Sequence, residues 1–132
     1  MIVAVDSSVL LAIFRNERNG ARWLDFLLQL RTENQLAACD VVWSEIAPLF
    51  VDNDALSAGM AAIGVLFSPL DEAAAFIAGR LFSEYRKRDG PRGRMVSDFM
   101  IAAHALHHAS GLATGDDDFM RAHFPRLKLL RP

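Results

Sequence analysis

The chain has 132 residues, of which 52% are hydrophobic and 23% charged, and its formal net charge is −2. This length and composition predict one globular domain over residues 1–132 and argue against a disordered chain. The net negative charge argues against a protein that coats nucleic acid through bulk positive charge, although basic residues concentrated on one face would still allow local binding.

The first residues and the cysteine content indicate a compartment. The chain opens Met-Ile-Val-Ala-Val-Asp, without a basic leader or a long apolar run, so we expect neither a signal peptide nor a membrane span. The single cysteine, Cys39, excludes an intrachain disulfide and suits a reducing environment. We therefore expect a cytoplasmic protein.

Short apolar runs alternate with longer helical patterns from the start of the chain. Residues 2–5 are predicted to form a buried strand, and Ser7 or Ser8 could cap the helix that comes next. A second helix is expected at 20–30 and a second strand at 36–39. This alternation predicts an α/β fold with a mainly parallel sheet flanked by helices.

The next helix carries a conflict in its own sequence. Asp40 could cap it, but Pro48 lies where the helix would continue. Proline is costly inside a helix and tolerated in its first turn, so the helix either kinks or starts near Ser44.

The second half of the chain continues the alternation of helices and strands. A loop is expected where turn-forming residues cluster at 89–93, and Ser97 could cap the helix after it. The predicted helices lie at 55–66, 71–87, 98–109 and 119–123, and the predicted strands at 67–70, 112–114 and 127–130, the first of these as an edge strand.

Acidic residues recur where predicted strands end and helices begin. Asp6 ends the first strand, Asp98 opens a helix, and Asp116 comes after the strand at 112–114, while Glu45 lies near a helix start. Open parallel sheets bind ligands beyond the carboxyl ends of their strands. Four carboxylates there would repel one another, and Mg²⁺ or Mn²⁺ would neutralise them and could promote phosphodiester hydrolysis. Taken singly, each acid could merely complement a helix dipole or face solvent.

Three segments carry a resemblance to a known family: VAVDSSVLL at 3–11, SDFMIAAHAL at 97–106 and LATGDDDF at 112–119. With them the chain resembles a PIN domain, specifically a VapC-type toxin ribonuclease of a toxin–antitoxin pair. The resemblance covers nearly the whole chain in order and spacing. It implies a five-stranded parallel sheet, homodimers, Mg²⁺-dependent cleavage of tRNA or other RNA, and neutralisation by a cognate VapB-like antitoxin.

The same resemblance assigns roles to individual residues. It implies that the metal-binding, catalytic acids are Asp6, Glu45, Asp98 and Asp116. Ser8 would support the first acid and Asp118 would be an auxiliary acid. The run Asp116-Asp117-Asp118 leaves open which of its members reaches the metal.

Basic residues and histidines offer further candidate sites. The candidate RNA contacts are Arg86, Lys87, Arg88, Arg92 and Arg94, although an ordinary solvated loop would look the same. His104 and His108 have a spacing that can bind zinc, but the glutamate of the metalloprotease pattern is missing between them, which favours a structural role.

Two other functions remain open from the residues alone. An aspartate-nucleophile phosphatase would use Asp6, but such enzymes typically carry a second aspartate two residues later, where Ser8 stands. A catalytically silent module could instead receive an arginine of a partner protein in its acidic pocket.

Overall fold

The computed structural model describes residues 1–88 and 96–132. Its strands form one sheet in the order β3-β2-β1-β4-β5, and every neighbouring pair is parallel. The strands are β1 (Ile2–Val5), β2 (Gln35–Ala38), β3 (Val65–Phe67), β4 (Gly111–Ala113) and β5 (Leu129–Leu130). The predicted fold class, an α/β domain with a five-stranded parallel sheet flanked by helices, is confirmed.

Helices connect the strands and flank the sheet. They are α1 (Ser7–Phe14), α2 (Gly20–Leu30), α3 (Asp40–Ile46), α4 (Asn53–Ile63), α5 (Glu72–Arg88), α6 (Val96–His108) and α7 (Asp117–His123). In the described part of the chain, none of these helices has the length and apolar character needed to cross a membrane.

Predicted helix starts and caps are corrected by the structure, since Asp40 and Ser97 lie inside α3 and α6 and do not cap them. The helix α3 starts at Asp40, not near Ser44, and ends at Ile46, so that Pro48 falls in a separate 3₁₀ turn, Ala47–Leu49. Pro48 therefore does not interrupt α3, because the helix ends two residues before the proline. The residue at the N-cap of α1 is Asp6, and Ser7 and Ser8 are the first residues of the helix.

The edge strand was predicted at 67–70, but the structure places it earlier in the chain, at Val65–Phe67. Gly64 ends α4 in the left-handed conformation, with φ of 92°, and β3 begins at once as Val65–Phe67. Glycine adopts this conformation without steric cost, which explains the abrupt stop. The loop predicted at 89–93 lies outside the described residues.

The sheet places β1 at its centre and buries it. Val3, Ala4 and Val5 are at most 3% exposed, and the small residues Ala102 and Ala103 of α6 are fully buried. The chain moves from β1 to β2 on one side, whereas β4 pairs with β1 on the other side. The carboxyl ends of β1 and β4 therefore flank the topological switch point, where open sheets of this kind bind ligands.

Two glycines provide a matched test of the packing between α1 and α2. A Cβ atom on Gly20 would lie 2.5 Å from the carbonyl oxygen of Ala12, whereas a Cβ atom on Gly79 would have no neighbour within 4 Å. We predict that Gly20→Ala lowers the free energy of unfolding by about 1–3 kcal/mol, because rigid backbone must move. Gly79→Ala should raise it by up to about 1 kcal/mol, since alanine favours a helix. Urea unfolding measures both changes, and equal effects would contradict the close contact.

Candidate active site

The side chain of Asp6 lies at the end of β1 and is nearly buried, with 5% exposure. Its Oδ2 atom accepts hydrogen bonds from Thr114 Oγ1 at 2.7 Å and Ser8 Oγ at 3.0 Å. Its Oδ1 atom receives a long contact of 3.5 Å from Ser7 Oγ. One carboxylate oxygen is thus held firmly, and the other is less engaged by the described residues.

The two hydroxyl groups that bind Asp6 also hold the chain beyond β4. Thr114 Oγ1 accepts a hydrogen bond from the N–H of Asp116 at 3.0 Å, and Ser8 Oγ accepts one from the N–H of Gly115 at 3.1 Å. Each hydroxyl therefore donates to the buried carboxylate and accepts from the backbone of the acidic segment. This arrangement fixes the start of that segment beside Asp6.

The acidic run after β4 is divided between different roles. Asp116 influences Asp6 electrostatically, since its charge contributes to raising the pKa of Asp6. Asp117 binds Arg131 at 2.7 Å and Arg121 at 3.3 Å. The side chain of Asp118 is 100% exposed and lies 3.6 Å from Arg121. Of the three, Asp116 is the acid that the structure couples to Asp6.

Glu45 and Asp98 complete the group from two other helices. Partial burial raises the pKa of Glu45, a hydrogen bond from Ser7 lowers it, and the charges of Asp6 and Asp98 raise it further. Glu45 therefore senses both aspartates and shares the Ser7 hydroxyl with Asp6. All four predicted acids belong to one electrostatic neighbourhood at the carboxyl end of β1.

An aromatic cluster anchors the helix turn that carries Asp98. Phe99, the next residue, is 1% exposed, and its burial limits how far Asp98 can move. The rings packed around Phe99 have centroids 5.2–5.9 Å away and belong to Phe82, Tyr85, Phe119 and Phe124. Edge-on aromatic pairs of this kind stabilise a core beyond the area that they bury.

The donor set of the site fits a hard divalent cation. Burial raises the pKa of Asp6, while hydrogen bonds from Thr114 and Ser8 lower it. In the described residues, no three of the four acids bring carboxylate oxygens within 4.8 Å of one another. One or two direct carboxylates with water completing the shell is the coordination that Mg²⁺ prefers. Asp6, Asp98, Asp116 and Glu45 are the residues that could hold such an ion.

Three of the five candidate basic residues lie at the end of α5, the end whose Phe82 and Tyr85 contact Phe99, next to Asp98. Arg86, Lys87 and Arg88 are exposed in the last turn of α5, the helix that packs along α6. The guanidinium of Arg86 lies 6.0 Å from the ring of Phe82. Arg92 and Arg94 lie outside the described residues.

Two residues of the site escaped the sequence analysis. Thr114, which is fully buried, was expected only as the end of a strand, and Ser7 was expected only as a helix cap. The signal that could have identified Thr114 is its place in the segment at 112–119, where it comes just before Gly115 and Asp116. Its partner Asp6 is 108 residues away in the chain, so the contact depends on the pairing of β1 with β4.

Comparisons with known proteins agree with this architecture. The family model described as PIN domain matches residues 3–125. A comparison with curated proteins gives no match.

Solved structures share the fold at low sequence identity. VapBC2 from Rickettsia felis, crystallised with a DNA fragment from its promoter, is 20% identical with a TM-score of 0.69, and 98% of each chain is covered. FitAcB from Neisseria gonorrhoeae is 23% identical with a TM-score of 0.62, covering 100% of this chain and 98% of the other. VapC20 from Mycobacterium tuberculosis, described as a sarcin–ricin loop cleaving toxin, is 15% identical with a TM-score of 0.61, covering 98% and 99%.

The burial of Asp6 gives a stability prediction with a defined pH dependence. Burial raises the pKa of Asp6 above its ordinary value of 3.8, so ionisation destabilises the folded chain. Below that value the carboxyl is protonated in both states, and the cost appears as the pH rises through the folded pKa. We predict that Asp6→Asn raises the free energy of unfolding at pH 7 relative to that of the wild type, because the neutral amide avoids the cost of a buried charge.

Denaturant unfolding in the presence of a chelator, from pH 4 to pH 8, measures this difference. The advantage of Asp6→Asn over the wild type should grow with pH, and Asp118→Asn should show no such trend because its side chain is 100% exposed. A difference that stays constant over this range would refute the assigned cost of burial.

Proposed function

This chain belongs to the PIN-domain family, and on that premise we propose that it is a metal-dependent endoribonuclease, the toxin of a VapBC-like toxin–antitoxin pair. The observation that carries the proposal is the group of acids around the carboxyl end of β1, in which Asp6 and Glu45 both respond to neighbouring negative charge. We assign the whole of residues 1–132 to this one ribonuclease domain.

We assign the direct contacts with the ion to Asp6 and Asp98, and we assign Glu45 and Asp116 to a second position or to orienting the attacking water. When bound, Mg²⁺ or Mn²⁺ would neutralise phosphate charge and lower the pKa of water. Ser8 and Thr114 keep the Asp6 carboxylate oriented through its Oδ2 atom. In-line hydrolysis forms a bond from the water oxygen to phosphorus and breaks the P–O3′ bond, leaving a 5′-phosphate and a 3′-hydroxyl.

The same proposal implies particular partners. The fold is shared with VapC20, described as a sarcin–ricin loop cleaving toxin, which supports RNA as the substrate class, tRNA or another structured RNA. The fold is also shared with VapBC2, which supports a VapB-like antitoxin as partner. The edge strand β3 exposes Leu66 by 51% and Phe67 by 52%, and apolar surface of this kind suits contact with an antitoxin or a second copy in a homodimer. We place the pair in the cytoplasm.

The acids are tested by RNA cleavage with Mg²⁺ or Mn²⁺. We predict that Asp6→Asn and Asp98→Asn each lower the cleavage rate about a hundredfold or more, because each removes a direct ligand of the ion. Asp116→Asn should also lose activity, whereas Asp118→Asn should stay close to the wild type because its side chain is 100% exposed. The products should carry 5′-phosphates that a ligase accepts.

Several outcomes would overturn this proposal. Undiminished cleavage by Asp6→Asn or Asp98→Asn would contradict the assignment of that residue as a ligand of the ion. A phosphoryl group trapped on Asp6 would favour a phosphatase. Calorimetry that detects a bound basic peptide but no divalent metal would favour a catalytically silent binding module.

The basic end of α5 gives a separate prediction about RNA binding. The double variant Lys87→Gln, Arg88→Gln should weaken RNA binding, because it removes two exposed positive charges from the last turn of α5. The slope of log K against log salt should fall in magnitude by about 1.4–1.8. Lys128→Gln is the matched control, since Lys128 is exposed just before β5, an edge strand of the sheet. Fluorescence anisotropy at several salt concentrations measures both, and equal slopes would contradict the assignment.

A further inference from the structure

Metal-ligating side chains also meet at the other end of the pair of helices α5 and α6. Asp71, just before α5, faces His107 and His108 in the last turn of α6. One potential ligand atom from each of the three residues lies within 4.8 Å of the other two. We propose that Asp71, His107 and His108 form a binding site for a divalent transition metal, with Zn²⁺ as the representative ion.

The distances between ligand atoms suit a small tetrahedral ion. His108 Nε2 lies 2.9 Å from Asp71 Oδ2, and His107 Nε2 lies 3.7 Å from the same oxygen. Zinc bonds of about 2.0–2.1 Å in a tetrahedron separate neighbouring ligand atoms by about 3.3 Å. The observed distances lie on either side of that value, so small rotations of the side chains would complete the geometry.

The backbone holds Asp71 in position for this role. Its Oδ1 atom accepts a hydrogen bond of 2.9 Å from the N–H of Ala74, in the first turn of α5. Its main-chain oxygen accepts a hydrogen bond of 2.9 Å from the N–H of Ala75. Because Oδ1 is engaged in capping the helix, Oδ2 is the oxygen presented to the histidines. This ligand is preorganised before any ion binds.

The environment of His108 is the second observation that points to a ligand. Its Nε2 atom is shielded from solvent and lies 2.9 Å from Asp71 Oδ2. The contact with His108 also helps to lower the pKa of Asp71, so the carboxylate is held ionised beside the ring nitrogen. An ion shared by the two groups would replace this contact with two ligand bonds.

His104, the third histidine of α6, packs against His108 but is not one of the proposed ligands. His104 is 2% exposed, and its Nε2 atom lies 2.9 Å from Ser68 Oγ, so that nitrogen is already engaged. Its ring centroid lies 5.2 Å from that of His108 and packs against it. The pair His104 and His108, considered from its spacing, is therefore not the ligand pair; His107 and His108 face Asp71 instead.

This second site differs from the acidic one in chemistry and in place. Imidazole nitrogens favour Zn²⁺ and neighbouring transition metals over Mg²⁺, which prefers oxygen. Asp98 and His107 lie on the same helix, separated by nine residues, or about 14 Å along its axis. The three protein ligands leave a fourth position for water, as in open zinc sites.

The test is calorimetric titration of the untagged full chain with Zn²⁺ in excess Mg²⁺. We expect one bound Zn²⁺ per chain, and an affinity that falls by more than about tenfold in Asp71→Asn, His107→Gln and His108→Gln. Asp71→Asn retains an oxygen that can cap α5, so a folded variant is available. Asp52→Asn is its matched control, because Asp52 caps α4 in the same way, accepting a hydrogen bond of 2.8 Å from Ala55.

Two further measurements separate this site from other ways of binding zinc. Zn²⁺ should shift the imidazole NMR signals of His107 and His108, while His123, on α7, stays unchanged. The ion should also raise the melting temperature of the wild type and of Asp52→Asn but not of Asp71→Asn. Displacement of Zn²⁺ by Mg²⁺, or equal affinities in Asp71→Asn and Asp52→Asn, would overturn the proposal.

Discussion

A buried carboxylate must find hydrogen-bond donors, and this requirement at Asp6 organises the candidate site. The donors are the hydroxyl groups of Thr114 and Ser8, which bind one oxygen of Asp6 at 2.7 Å and 3.0 Å. The same hydroxyls accept from the N–H groups of Asp116 and Gly115. A single buried carboxyl group thus joins the ends of β1 and β4 and determines where the next acid lies.

Two helices, α3 and α6, bring further carboxylates to the end of β1, where burial already makes a negative charge on Asp6 unfavourable. Glu45 and Asp98 arrive on α3 and α6, and the charges of Asp6 and Asp98 raise the pKa of Glu45. Packing elsewhere must offset this repulsion. The rings around Phe99 do so directly beside Asp98, since they fix the first turn of α6 while the carboxylate next to it stays accessible.

Features that local rules determine were predictable from the sequence, whereas features that depend on distant pairing were missed. The parallel sheet was predictable from alternating runs, and Asp6, Asp98 and Asp116 from their positions after strands or at helix starts. The hydroxyl of Thr114 was missed because its partner is 108 residues away. The effect of Pro48 was misjudged because α3 ends at Ile46 and the proline falls in a separate 3₁₀ turn after it. The roles of the acids remain predictions.

The contact of Asp71 with His107 and His108 belongs to the same class of missed features. It required the pairing of α5 with α6, which brings together residues that lie more than 30 positions apart in the chain. Spacing along one helix pointed instead to His104 and His108, because a sequence pattern reports only neighbours on the same helix.

The central position of β1 has a consequence for how the protein is made. β1 leaves the ribosome before the other strands of the sheet, yet one of its two neighbours is β4, which comes 106 residues or more later in the chain. Thr114 follows Asp6 by 108 residues. Because a ribosome adds about 5–20 residues per second, Thr114 is synthesised roughly 5–20 s after Asp6. An unfinished chain therefore lacks the donor that holds Asp6 and the strand that carries Asp116. The candidate site is therefore completed only after nearly the whole of this chain has been synthesised.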